Sequence, residues 1–150
     1  MEKREPVTMR RGEGEPLNVM GAQVRFLCGA EKTGQAWSLM EVLLPKDSGP
    51  PPHHHPWDEA YYVVEGKLRF ELAGSAMDAT AGDFIYAPGG TVHAFKGTSE
   101  KPARVIIFDA PAHSEAFFRD CDREVKELPR DLSKMPEIGE RHQVRFVKPS

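Results

Sequence analysis

Glycine and proline interrupt this chain at short intervals, and that spacing limits the length of any helix or strand that can form between them. The 150 residues include 13 glycines and 13 prolines. Between these breaks lie short apolar stretches, and residues 67–72 alternate strictly between charged and apolar side chains. A period of two is typical of a strand with one buried face. The pattern therefore predicts antiparallel β structure rather than alternating strands and helices.

The stretches between the breaks predict nine strands, which are enough to close a barrel. They cover residues 17–20, 23–28, 35–44, 60–65, 67–72, 76–79, 84–87, 92–96 and 103–109. Gly66 separates two of these strands and predicts a tight hairpin between them. In the strand after it, Leu68 and Phe70 are expected to face inward. The segment Pro88-Gly-Gly90 predicts a turn that reverses the chain before His93.

Histidines and one glutamate indicate a metal site. His53, His54 and His55 are consecutive, Glu59 follows them, and His93 comes later in the chain. Alternate side chains of a strand share a face, so His53 and His55 point one way and His54 the other. Imidazole nitrogen and carboxylate oxygen suit iron, nickel, manganese, zinc or copper. A solvated histidine tract that binds metal adventitiously is the alternative interpretation.

At these residues the chain resembles the cupin superfamily. The two cupin motifs are matched by His53, His55, Glu59 and Gly66, and then by Gly82, Pro88, Gly90 and His93. The chain departs from the family pattern at two positions. Asp47 stands where the first motif begins with glycine, and Gly97 stands where the second motif ends with asparagine.

The resemblance implies an all-β fold, a double-stranded β-helix (jelly-roll) cupin barrel with a C-terminal helical segment. It implies one cupin domain over residues 1–150, with the barrel core at about 17–110 and the helical extension at about 112–147. The implied ligands of one divalent metal ion (Fe, Ni, Mn, Zn or Cu) are His53, His55, Glu59 and His93. Within the superfamily, the chain looks most like the small bacterial quercetin-dioxygenase-like proteins.

The residues after Pro111 change in character. Phe117, Cys121, Val125 and Leu128 recur at helical spacing with charges between them, which predicts an amphipathic helix that ends before Pro129. Its apolar stripe should cover the barrel. A second short helix is expected within residues 132–140, and an extended stretch should follow it.

Strand alternation also nominates a substrate-binding surface. If Glu59 points inward, then Tyr61 and Val63 follow it on the same face, and Phe95 shares a face with His93. From the strand 103–109 we take Ile106 and Phe108, with the alternate residues of that strand left open. These side chains predict an apolar, aromatic pocket for a small organic molecule. The alternative is that they simply fill the barrel.

Composition excludes several classes of partner. The net charge of −3 arises from nearly balanced acids and bases, without the basic surface that nucleic acid requires. No apolar stretch approaches the length of a membrane span, so we expect no membrane partner. Cys28 and Cys121 have no paired spacing, which favours packing roles and a reducing, cytoplasmic location.

Two classes of function remain open. The first is an enzyme in which Glu59 is catalytic, either a mononuclear metal-dependent dioxygenase that acts on a small aromatic or enol-type substrate, or a metallocupin isomerase or decarboxylase. The second is a non-catalytic small-molecule-binding cupin. Fold alone does not decide between them. We also expect a homodimer formed through the strands at 17–20 and 23–28, since these strands would otherwise present open sheet edges.

Overall fold

The computed structural model describes residues 3–147, which form two antiparallel sheets that face each other. The strands are β1 (Leu17–Val19), β2 (Ala22–Cys28), β3 (Ser38–Leu44), β4 (His53–His54), β5 (Asp58–Glu65), β6 (Lys67–Leu72), β7 (Ser75–Thr80), β8 (Phe84–Ala87), β9 (His93–Gly97), β10 (Ala103–Ala110) and β11 (Arg145–Phe146). One sheet has the order β1-β2-β3-β10-β5-β8, and the other has the order β11-β4-β9-β6-β7. This is the jelly-roll arrangement that the resemblance implied.

Alternating burial along the strands confirms that each sheet has one face toward the core. In β3 every second residue is buried, and in β6 Leu68 and Phe70 are buried while Lys67 and Arg69 are exposed. Apolar residues from both sheets meet in one cluster, in which Met40 and Val63 have no exposed surface. Burial of this apolar surface is the main stabilising contribution to the fold.

Gly66 does not form the predicted hairpin. β5 pairs with β10 and β8, whereas β6 pairs with β7 and β9, so the turn at Gly66 carries the chain from one sheet to the other. Gly66 has a φ of +83° there, and an added Cβ would lie 2.8 Å from Cα of Ala103. Glycine is needed at this position because the backbone passes too close to Ala103 for a side chain to fit.

The two departures from the cupin motifs lie next to each other in space. The backbone N–H of Asp47 donates to the carbonyl of Gly97 at 2.8 Å, and the N–H of Gly97 donates to the carbonyl of Ser48 at 3.0 Å. Asp47 has a φ of +67°, a left-handed conformation that aspartate tolerates better than most residues. Asp47 therefore gives this turn the left-handed backbone conformation that glycine would otherwise provide.

The C-terminal segment contains two helices, α1 (Ser114–Glu124) and α2 (Met135–Arg141), with a 3-10 turn at Arg130–Lys134 between them. Asp109 at the end of β10 accepts hydrogen bonds from the N–H and hydroxyl of Ser114, at 3.0 Å and 2.7 Å, and so fixes the start of α1. α1 ends before Leu128, which is exposed, but Phe117 and Cys121 face the barrel as predicted. Neither helix in residues 3–147 has the length and apolar character needed to cross a membrane.

Two glycines allow the close approach at Gly66 to be tested separately from backbone strain. Gly66 and Gly74 have φ values of +83° and +86°, but nothing lies within 4 Å of a Cβ added at Gly74. We expect Gly74→Ala to lower the free energy of unfolding by about 1 kcal/mol through strain alone. Gly66→Ala should lower it by about 2–4 kcal/mol, because a clash is added. Urea unfolding would measure both, and equal losses would contradict the contact with Ala103.

Candidate metal centre

Strand pairing brings the histidines of the two motifs together. β4 pairs with β9 so that His53 lies directly opposite His93. His55 is two residues beyond His53, so its side chain leaves the chain on the same face. Glu59 comes from β5 in the opposite sheet, where it pairs with Asp109. All four predicted ligands are buried in the interior between the sheets.

Backbone carbonyls orient the three imidazole rings. In each ring Nδ1 contacts the carbonyl oxygen of a residue two positions away, which can only accept a hydrogen bond. The acceptors are Pro51 for His53 at 2.8 Å, Trp57 for His55 at 3.1 Å, and Thr91 for His93 at 2.8 Å. Nδ1 therefore carries the proton, and the lone pair of each Nε2 is free to bind a metal.

The donor set fits a divalent cation. Each of the three histidines offers a ring nitrogen, and these nitrogens lie within 4.8 Å of one another. Nε2 of His55 and Nε2 of His93 are buried without a hydrogen-bond partner. Buried polar atoms rarely lack a partner, and a metal bound by three imidazoles would satisfy these atoms. The three rings also leave one side of the ion open.

Burial keeps His53 and His93 in the neutral form that binds metal. Desolvation, reinforced by the nearby His93, lowers the pKa of His53 to about 4. Desolvation also lowers the pKa of His93, although the charge of Glu59 opposes this shift. At neutral pH a metal therefore does not have to displace a proton from either ring.

Glu59 lies beside this set of nitrogens. Its Oε1 is 2.8 Å from Nε2 of His55, and it also accepts a hydrogen bond from Nε1 of Trp57 at 3.2 Å. Its Oε2 accepts a hydrogen bond from the hydroxyl of Tyr61. When Nδ1 of His55 holds the proton, the facing Nε2 and Oε1 are both acceptors. Their close contact is therefore favourable only with a positive species between or beside them, either a proton or a metal ion.

The charge of Glu59 depends on the histidine side of the site. Burial opposes its ionisation, but the contact with His55, which favours a positive species beside the carboxylate, together with His93 and the Tyr61 hydroxyl, lowers the pKa of Glu59 to about 2. The carboxylate raises the pKa of Tyr61 well above its usual value, in addition to the larger effect of burial. Tyr61 is therefore a neutral donor at physiological pH.

A small cavity of about 60 Å³ opens beside the histidines. His53, His55 and Glu59 form its polar floor. Its walls are apolar side chains from the sheets, the C-terminal helix α1 and the residues around β11: Val19, Met20, Ala22, Val24, Val42, Leu44, Phe95, Ile107, Phe117, Phe118, Val144 and Phe146. The arrangement places three polar side chains under an apolar enclosure.

The substrate-binding residues predicted from the sequence lie in different places. Phe95 lines the cavity. Tyr61 and Val63 are completely buried beneath it, and Tyr61 packs against Phe95 with ring centroids 5.5 Å apart. Tyr61 therefore reaches the site through Glu59 rather than through the cavity wall.

In β10, the last strand of the barrel, the residues that face the cavity are not the ones predicted from the sequence. In β10 the buried positions alternate from Ala103, so Ile107 lines the cavity while Ile106 and Phe108 lie on the outer face. Phe108 is 36% exposed and stacks on Trp37 outside the barrel. Ile107 therefore lines the cavity instead of Ile106 and Phe108. The sequence could not show which face of this strand is inward, because the strand contains no predicted metal ligand.

Several cavity residues were not predicted. Trp57 lies between two motif residues, and its ring stacks on that of His55 with centroids 4.1 Å apart and planes 8° apart. Phe118 and Phe146 come from the C-terminal segment. The helical spacing around Phe117 predicted that α1 covers the barrel, but it gave no sign that Phe146 would reach the ring of His53, where the centroids are 6.0 Å apart.

Comparison with known proteins agrees with this geometry. Residues 39–109 match the family model described as a cupin domain. This segment contains both histidine motifs and the strands β4 to β9, together with most of β3 and β10.

Two curated relatives are similar over most of the chain. The polyketide synthase CurC of Streptomyces cyaneus is 25% identical over 142 residues, which are 93% of this chain and 92% of the relative. The quercetin 2,3-dioxygenase of Bacillus subtilis (strain 168) is 28% identical over 116 residues, which are 76% of this chain and 34% of that enzyme. The chain thus spans about a third of the dioxygenase.

A solved structure shows the same fold. KdgF from Halomonas sp. superposes with a TM-score of 0.66 at 23% identity, over 74% of this chain and 98% of that one. The similarity therefore leaves about a quarter of this chain uncovered.

Metal binding should depend on the converging rings and not on the histidine run. His93→Ala removes one of the three nitrogens and should lower metal affinity by more than the roughly 10- to 100-fold expected for loss of a supporting residue. His54→Ala should leave affinity unchanged, because His54 lies on the other face of β4, opposite Arg145. Competition with a chelator, followed by metal analysis of untagged protein, would measure both. Equal losses would show that the histidine tract itself captures the metal.

Proposed function

The chain is a small protein of the cupin superfamily, and from this we propose that it is a metal-dependent enzyme acting on a small aromatic or enol-type substrate. A mononuclear metal-dependent dioxygenase is the first candidate activity. One observation carries the proposal: three buried histidines bring ring nitrogens within 4.8 Å of one another, and two of them, His53 and His55, line an apolar cavity together with Glu59.

The proposed chemistry divides between the ion and the protein. A divalent ion bound by His53, His55 and His93 would lower the pKa of a substrate hydroxyl, so that the substrate reacts as its anion. Glu59 stands beside the histidines and is the carboxylate that can accept the proton. The apolar walls exclude water and strengthen these charge effects.

The cavity supports a largely apolar, uncharged substrate. Within residues 3–147, no lysine or arginine lines it, and Ser114 supplies the single hydroxyl of its lining. A sugar would lose the hydration of its many hydroxyls in such an enclosure without gaining enough hydrogen-bond partners. A phenol or enol next to a carbonyl, with its oxygens at one end, would meet the polar floor and leave the rest of its surface against phenylalanine.

The relatives support the same substrate chemistry. The quercetin 2,3-dioxygenase is named for a flavonol, which carries a hydroxyl next to a carbonyl. CurC is named as a polyketide synthase, and polyketides carry repeated carbonyls that form enols. CurC matches nearly its whole length, which favours a second candidate: a reaction on such an enol without oxygen, as in an isomerase, decarboxylase or cyclase. A non-catalytic small-molecule-binding protein is the remaining alternative.

Oxygen uptake by metal-defined protein should decide among these activities. We expect oxygen uptake with at least one compound from a panel of flavonols, β-diketones and catechols. We also expect this uptake to require the added metal. Glu59→Gln should keep most of the metal but lower turnover by about 10²- to 10⁴-fold, because the proton acceptor is lost. An oxygen electrode and mass spectrometry of the products would measure this.

The other outcomes separate the alternatives. Product formed without oxygen uptake would favour the second candidate. Tight binding that depends on the metal, with no product from any compound, would contradict an enzymatic role and favour the binding protein. His54→Ala provides the control, because His54 lies outside the set of converging nitrogens.

We further propose that the protein is a cytoplasmic homodimer. β1 ends the six-stranded sheet, and among the described strands β2 is its one neighbour, so a two-fold partner can extend the sheet there. Cys28 and Cys121 are free thiols, which suits a reducing compartment. Light scattering at micromolar concentration should give twice the mass of one chain. A monomer mass would contradict pairing through β1 and β2.

A further inference from the structure

Four aromatic side chains lie exposed on the outer face of the six-stranded sheet. The exposed fractions are 64% for Phe84, 50% for Tyr86, 49% for Tyr62 and 36% for Phe108. Tyr62 lies opposite Phe84 where β5 pairs with β8. Ala60 lies between Tyr86 and Phe108, which pair with it from its two sides. The four aromatic residues are therefore neighbours, and together they form what we call the aromatic face.

The outer face of the five-stranded sheet shows how this chain builds a surface that faces water. There β6 exposes Lys67, Arg69 and Glu71, and the neighbouring strand β9 exposes Lys96. Charged side chains at outward positions keep a sheet soluble and discourage contact with other proteins. Aromatic residues at the outward positions of β5 and β8 are instead typical of an interaction surface.

The chain itself covers the neighbouring part of this sheet. The segment before β1 lies against β2 and β3, where Met9 lines a groove together with Leu39 and Trp37. Trp37 stacks on Phe108 at the border of the aromatic face, with ring centroids 5.9 Å apart. Within residues 3–147, no segment buries the aromatic face itself. This surface is therefore open to a partner.

The centre of the aromatic face carries no charge. Charged side chains begin at its ends, with Asp58 and Glu65 on β5 and Arg104 on β10. Arg104 is already paired within the chain, since its Nε lies 2.6 Å from Oε2 of Glu41. A second copy of the same surface can therefore approach the centre without like-charge repulsion. A strongly charged partner would find no opposite charge there.

Shape and area also fit a second copy. Sheets pack face to face about 10 Å apart in proteins, so two copies of one sheet face are matched in shape. The exposed parts of the four aromatic side chains provide on the order of 400 Å². A standard interface buries about 800 Å² on each partner, so the aromatic face supplies about half of this area. Trp37 and the polar rim lie next to it and can supply the rest.

We propose that the aromatic face binds the aromatic face of a second copy of this chain, sheet against sheet and related by a two-fold axis. This contact does not rest on the proposed enzymatic activity. The pairing proposed through β1 and β2 would use the opposite edge of the same sheet. Contact at the aromatic face can therefore form with or without pairing at β1.

Light scattering of a charged variant tests the contact. Phe84→Lys removes the most exposed aromatic ring and places like charges on both sides of the contact, so the mass of the native assembly should be halved at the same concentration. Leu132→Lys is the matched control, because it changes an apolar residue of the C-terminal segment that is 44% exposed. It should leave the mass unchanged. Circular dichroism would verify that both variants are folded.

Thiol cross-linking gives a second measurement that does not depend on charge. Tyr62 lies near the middle of the aromatic face, so Tyr62→Cys places two thiols on either side of the two-fold axis. A short bismaleimide should link two chains through this residue. Met77→Cys, on β7 of the other sheet, is the control and should give no more linked chains than the native protein, which contains Cys28 and Cys121.

Three results would overturn the inference. The first is an unchanged mass in the folded Phe84→Lys protein, and the second is equal cross-linking through Tyr62→Cys and Met77→Cys. The third is a native mass of one chain, which would leave the aromatic face to a partner of another kind. None of these results bears on the proposed enzyme, because neither Phe84 nor Tyr62 lines the cavity.

Discussion

The three hydrogen bonds between histidine Nδ1 atoms and backbone carbonyls are the constraint on which the site depends. Each bond is local, two residues long, and set by the course of the backbone at Pro51, Trp57 and Thr91. The fold therefore determines ring orientation directly, without help from distant side chains. Removing a neighbouring side chain would leave these hydrogen bonds in place. A change in the backbone that carries one of these carbonyls would instead rotate the ring and turn the lone pair of its Nε2 away from the metal site.

Sequence reasoning succeeded where the information is local. Alternation along β6 identified Leu68 and Phe70 as inward residues, and the motif spacing brought His53, His55 and His93 to one place. It failed where partners are chosen in three dimensions. The stretch around Gly66 has the pattern of a hairpin, but β5 and β6 belong to different sheets. Trp57 was missed for the same reason, since stacking on a neighbouring ring leaves no periodic signal.

Part of the cavity wall comes from outside the segment that supplies the floor. His53, His55 and Glu59 lie inside the matched cupin segment 39–109, whereas Val24, Phe117, Phe118 and Phe146 lie outside it. Residues that lie outside the family match therefore contribute to the shape of the cavity.

The last strand imposes an order on the assembly of the site. β4 is only two residues long and lies between β9 and β11, so one of its edges is paired by residues 145–146, about ninety positions downstream. During synthesis, that edge has no partner until these residues leave the ribosome. The C-terminal segment therefore completes the pairing of the histidine strand and also brings Phe146 against His53.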